Sequence, residues 1–156
     1  MPSEIVSLGT ILRHLIELLD GDVQAAYDAH SLNYRPRYTP VVRTIDSIGP
    51  GSIRAIADHA GMTHSAVSQT VAQMVKAGLA EIGPGDDGRE RVVNAAPPLM
   101  AMLPQLRRIW AATNQAAAQL ERELSSPLSG LLLEATRALE AKPFRERIQD
   151  AARTTC

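Results

Sequence analysis

The chain is short of cysteine, of aromatic rings and of charge imbalance. It has one cysteine, Cys156, one Trp and one Phe, and 16 Lys and Arg against 17 Asp and Glu. A single cysteine excludes an intramolecular disulfide and any zinc site built on thiolates, and it suits a reducing compartment. Nothing beside Cys156 in the sequence would lower its thiol pKa, so no redox role is read for it. With hydrophobic residues at 45% and aromatics at 3%, the core must be aliphatic, which favours packed helices over a β-sandwich. A net charge of −1 gives no bulk attraction to nucleic acid or to an anionic membrane, so any such affinity must be local. The N-terminal segment 1–22 lacks a basic flank and is interrupted by Arg13, His14 and Glu17, so it is expected to be neither signal peptide nor membrane span. A cytoplasmic location without membrane contact is the expectation. His14, His30, His59 and His64 show no metal-ligand spacing, and "GPGDDG" is followed by no Lys-Ser/Thr helix start that would cradle phosphate. No nucleophile, base and orienting acid assemble, so neither an enzyme nor a cofactor or metal is expected.

What is present is helical periodicity in a chain of 156 residues, the length of one domain. Ile5, Leu8, Ile11, Leu12, Leu15, Ile16 and Leu19 recur every three or four positions, predicting a helix over 5–29 that Gly21 does not end. Thr39-Pro40 reads as cap and first residue of a short helix to about Ser47. Ser52 caps a third helix that turns Ile53, Ile56 and Ala57 inward. Gly61 ends it, being the residue best able to take a left-handed backbone, and Thr63 caps a fourth. In that fourth helix Val67, Val71, Met74 and Val75 are expected inside. Its other face carries His64, Ser65, Ser68, Gln69, Ala72, Gln73 and Lys76, polar but nearly uncharged.

Extended runs at 79–83 and 89–94 flank the tip "PGDDG", predicting a β-hairpin with Arg89 and Arg91 on one strand face. A long helix follows over 98–124. Pro104 inside it predicts a kink near Met100 or a later start. Ser126-Pro127 is a second cap-and-start pair, and a last helix is expected over 144–152.

Ala57, Gly61 and Val67 have the spacing of a helix-turn-helix: a small residue at the crossing, glycine in the turn, an apolar anchor beneath the second helix. The hairpin directly after it makes a winged helix. Such a fourth helix fits a major groove with Ser65, Ser68 and Gln69 near base edges, Gln being able to bond adenine twice, while its N-terminus at Thr63 and His64 suits a phosphate. Gln73 and Lys76 extend the same surface. Since Lys76 is the one cation on this helix, affinity for a polyanion has to come from elsewhere, and Arg89 and Arg91 are placed to supply it. Asp87 is expected to orient the Arg89 guanidinium by a bidentate pair. Against this, residues 51–95 hold four bases (Arg54, Lys76, Arg89, Arg91) and five acids (Asp58, Glu81, Asp86, Asp87, Glu90), a net of −1. A winged helix that binds protein instead of DNA is therefore the alternative.

The block "SIRAIADHAGMTHSAVSQTVAQMVKAGLAEIGPGDDGRERVV", with its "KAGL" helix end and Asp87-x-Arg89 wing, resembles the MarR (multiple antibiotic resistance regulator) family of transcription factors. The order of elements is similar along nearly the whole chain. The resemblance implies a mainly α fold: a three-helix core with a β-hairpin wing over about 38–95, and dimerisation helices over about 1–37 and 96–156, all in one domain. It also implies a homodimer on palindromic double-stranded DNA, often a repressor released by a small ligand. Two features depart from the family pattern: the stretch "VVNAAPPLMAML" after the wing, and Gln73 where a basic residue is common. Most of the chain's rings gather near the first connection, where His30, Tyr34, Arg35 and Tyr38, with Trp110 from the long helix, are the candidate holders of an aromatic or anionic effector.

Overall fold

The computed structural model describes residues 7–154, in two compact units that meet in sequence at Ile109 and Trp110. Ile5 and Cys156 lie outside the described residues.

In the first unit, α1 (Leu8–Ala29) begins at Ser7, whose hydroxyl accepts from the Thr10 amide, and runs through Gly21 as expected. Tyr27 in the last turn of α1 is buried against Tyr34 of the connection, and Tyr34 against Tyr38, with ring centroids 4.8 and 5.7 Å apart in edge-to-face pairs. A 3-10 turn, Pro36–Tyr38, leads directly into α2 (Thr39–Ile48). Here the expected cap is displaced: Tyr38, already helical in its backbone, stands at the cap position, and Thr39 is the first helical residue. The Thr39 hydroxyl lies instead 3.3 Å from the Tyr27 hydroxyl and accepts from that of Tyr34 at 3.4 Å.

Ser52 caps α3 (Ile53–Ala60) by accepting from the Ala55 amide, and Ile56 and Ala57 are buried. Gly61 takes φ 64° and ψ 32°, the left-handed turn expected of it, and the Met62 amide returns to the Ala57 carbonyl. Thr63 then caps α4 (His64–Lys76) through the Ala66 amide. Val67, Val71 and Met74 are fully buried under α4, but Val75 is 40% exposed and Thr70 takes the fourth inner place. The 3.6-residue turn explains this, because a stripe through 67, 71 and 74 continues over 70 and not over 75.

β1 (Ala80–Pro84) pairs antiparallel with β2 (Arg91–Ala95), Ala80 opposite Ala95 and Pro84 opposite Arg91. The Val93 amide also donates to the Gly51 carbonyl at 2.8 Å, stitching the hairpin to the turn before α3. α5 (Pro97–Glu123) then starts at once, contrary to the expected late start, and continues through Pro104. Pro97 and Pro98 occupy the first turn, where an amide is not needed. Leu99, Leu103 and Leu106 are buried on the inner side, which offsets the bond lost at the exposed Pro104.

The second unit holds the remainder of α5, then α6 (Leu128–Ala141) and α7 (Phe144–Thr154). Ser126 does not cap α6. Pro127 stands at the cap position, and the Glu121 carboxylate accepts from the Ser129 amide at 2.8 Å, an anion at a helix N-terminus. Hydrogen bonding from the Ser129 side chain, and then from its backbone amide, holds the Glu121 carboxyl below its ordinary pKa. At the other end, Arg147 of α7 donates to the Ala138 and Lys142 carbonyls. Neither α6 nor α7 buries a residue, although Leu131, Leu132, Leu133, Leu139, Phe144 and Ile148 all lie on them.

Candidate nucleic-acid interface

With its apolar side sunk in the core, α4 turns a polar side outward. His64, Ser65, Gln69, Ala72, Gln73 and Lys76 are exposed and Ser68 is half-buried, so the side chains suited to reading a groove stand on one helix, begun by the exposed Thr63. Its last cation, Lys76, sits in the final turn.

The hairpin tip is built by backbone bonds. The Gly85 amide donates to the Glu90 carbonyl at 2.7 Å and the Gly88 amide to the Gly85 carbonyl at 2.9 Å, with Gly88 at φ 69°. Asp87 has a different task from the one expected. Its Oδ1 accepts from the Arg89 backbone amide at 3.0 Å, an Asx-type turn, and among the described residues no ion pair joins it to the Arg89 guanidinium. A carboxylate two residues back along a tight turn reaches the amide before it can reach the end of a long side chain. Arg89 and Arg91 do not share a strand face either, since β2 begins only at Arg91 and Arg89 belongs to the tip. Both arginines are exposed, and neither takes part in an ion pair among the described residues.

Against the last turns of α4 lies a cleft of about 590 Å³, lined by Asp20, Gln24, Arg35, Arg37, Gln73 and Lys76 among others. Three cations against one acid make it a local anion-attracting surface that the overall charge conceals. Of the candidate effector residues, Arg35 and Tyr38 line this cleft. His30 is exposed and its Nδ1 lies 2.9 Å from the Ala26 carbonyl, at the end of α1. Tyr34 is buried, which raises its hydroxyl pKa, and its carbonyl accepts from Gln24. Trp110 is buried at the start of the second unit. The cleft-lining Asp20 and Gln24 had no sequence signal, because they stand on α1 more than ten residues before the arginines they approach.

Helix, left-handed glycine turn, helix and hairpin define the class: a winged helix-turn-helix protein. The profile of the MarR family matches residues 35–90, which hold most of that motif. Solved structures agree on the fold. The Mycobacterium tuberculosis transcriptional regulator MOSR, in complex with DNA, superposes with a TM-score of 0.67 at 14% identity, over 88% of this chain and 99% of its own. Bordetella bronchiseptica BpsR, whose structure concerns regulation of DNA binding by 6-hydroxynicotinic acid, gives 0.62 at 12% identity over 90% and 98%. NMB1585, a MarR family regulator from Neisseria meningitidis, gives 0.54 at 15% identity over 92% and 95%. No protein of curated function matches the sequence. Among the described residues, no group of His, Cys, Asp and Glu could hold a metal ion, and no helix is long and apolar enough to cross a membrane.

Proposed function

We propose that the chain is a cytoplasmic, DNA-binding transcriptional regulator. It would act as a homodimer on a palindromic operator, repressing until a small anionic or aromatic effector releases it. Residues 38–95 would bind DNA, and 1–37 and 96–156 would join the two copies. The observation that carries this is the exposed polar side of α4 beside a hairpin with Arg89 at its tip and Arg91 at the start of β2, neither with an acidic partner among the described residues. In this reading Ser65, Ser68, Gln69 and Gln73 meet base edges, and Thr63 and His64 bring the helix N-terminus to a phosphate. Lys76, Arg89 and Arg91 supply charge, and Asp87 shapes the tip. The chain would be a regulator and not a catalyst.

Two further observations support the rest. Apolar side chains on α1 (Leu8, Ile11, Ile16, Leu18, Leu19), and separately those on α6 and α7, are exposed in the single chain, more apolar surface than a monomer commonly leaves in water. The cleft lined by Arg35, Arg37 and Lys76 has the charge to hold an anionic effector. The test is titration of duplex DNA flanking the chain's own gene across a salt series. A steep fall in affinity with salt, with specific binding about a thousandfold or more above background, is expected. Binding no tighter than to random duplex would favour the protein-binding alternative, for which the negative balance of residues 51–95 speaks.

A further inference from the structure

Among the polar side chains on the outer side of α4, Gln73 stands apart. Arg37 Nη1 donates to Gln73 Oε1 at 2.8 Å, across 36 residues of sequence, and no other outer side chain of this helix is hydrogen-bonded to a second element among the described residues. Arg37 is well placed to hold it. Its backbone lies in the 3-10 turn between Pro36, with its fixed φ, and the buried Tyr38, whose amide returns to the Arg35 carbonyl at 3.0 Å. One residue further back, the Tyr34 carbonyl is tied to α1 through Gln24.

A carboxamide offers one accepting oxygen and one donating NH2 group. A free Gln reads adenine with both, the oxygen taking the N6 amino group and the nitrogen giving to N7. The bond from the Arg37 guanidinium to Oε1 is charge-assisted and roughly twice as strong as a neutral one; it takes one of the oxygen's two lone pairs and holds the oxygen toward Arg37, so a base amino group competes poorly for it. Gln73 is left to face a groove with Nε2 alone, as a donor. A lone donor is answered by N7 of either purine, O6 of guanine or O4 of thymine; guanine offers it two adjacent acceptors where adenine offers one beside its own amino group, and cytosine shows only a donor there.

We infer that Arg37 is a positioning residue that fixes the base preference of Gln73. By occupying Oε1 it turns an adenine-reading side chain into a donor that favours guanine or thymine. This rests on the DNA-binding reading of α4 given above.

The experiment is selection of sites from randomised duplexes by the full chain and by its Gln73→Ala, Arg37→Ala and Arg37→Lys variants. Gln73→Ala locates the base pair, as the one whose preference disappears. At that pair the unaltered chain is expected to select guanine or thymine, and Arg37→Ala to shift the ratio of adenine to guanine by about tenfold, with other positions unchanged. If Arg37→Ala weakens every sequence alike and Arg37→Lys restores affinity, Arg37 is a phosphate contact and the inference falls. If Arg37→Ala changes nothing, it falls as well. An unaltered chain that selects no sequence removes the DNA-binding reading, and the inference with it. The contact itself is followed separately in the free protein: the Gln73 carboxamide NMR resonances should move on Arg37→Ala, and unmoved resonances would overturn the clamp irrespective of DNA.

Discussion

Arg107 on α5 and Asp46 on α2 form a bidentate pair across 61 residues of sequence, Nε donating to Oδ2 at 3.0 Å and Nη2 donating to Oδ1. It ties the start of the long helix to the helix beneath the winged motif and closes one side of an apolar crevice lined by Ile45, Leu99 and Leu103. The hydrogen bonds from Arg107 hold the Asp46 carboxyl below its ordinary value of 3.8. A carboxyl whose pKa is lowered by folding stabilises the fold above its unfolded pKa and ceases to do so as pH falls through the folded value. Asp46→Asn should therefore melt below the unaltered chain at pH 7, and the gap should close as pH is taken below 3.8. Thermal unfolding followed by circular dichroism checks this; a gap that stays constant with pH would assign the difference to packing.

Arg89 stands at the hairpin tip without an acidic partner among the described residues. Arg89→Ala should weaken duplex binding by about 1 kcal/mol or more, as loss of a charge-assisted bond does. It should also lower the slope of log affinity against log salt by about one. Fluorescence anisotropy at several salt concentrations reads both, and unchanged affinity would remove the wing from the interface.

Gly61 turns the chain between α3 and α4 at φ 64° with open space where a Cβ would be. Gly61→Ala therefore meets backbone strain without a clash, and should cost about 1 kcal/mol in urea unfolding. A loss several times larger would mean that the corner cannot adjust.

Leu131 and Leu132 on α6 are 51% and 40% exposed in the single chain, so a charge placed there leaves the protomer core intact. If α6 joins two copies as proposed, Leu131→Glu combined with Leu132→Glu should yield a folded monomer in sedimentation equilibrium, against a dimer for the unaltered chain. A double variant that stays dimeric would take α6 out of the shared surface.

Leu132 shows why the amphipathic outer helices are legible in sequence while their burial is not. Periodicity reveals that a face is apolar, because the pattern repeats with the helical turn, but it does not say whether the cover comes from the same chain or from a copy. The caps and corners at Ser52, Gly61 and Thr63 could be read at once, since each depends on the residue itself and on amides three positions away. Thr39 and Ser126 carry the same local signal and failed. Thr39 meets two tyrosines brought from α1 and the connection, and the α6 N-terminus finds the Glu121 carboxylate.

By itself the sequence determined the helix-turn-helix, its wing and the polar outer side of α4, because those follow from short-range backbone chemistry and from the period of the helix. Only the tertiary structure decided that Asp87 serves a backbone amide, that Arg37 grips Gln73 and that Arg107 grips Asp46. Which charges meet depends on where the helices cross and how far flexible side chains reach. Contacts across 36 or 61 residues leave no periodic trace in the chain.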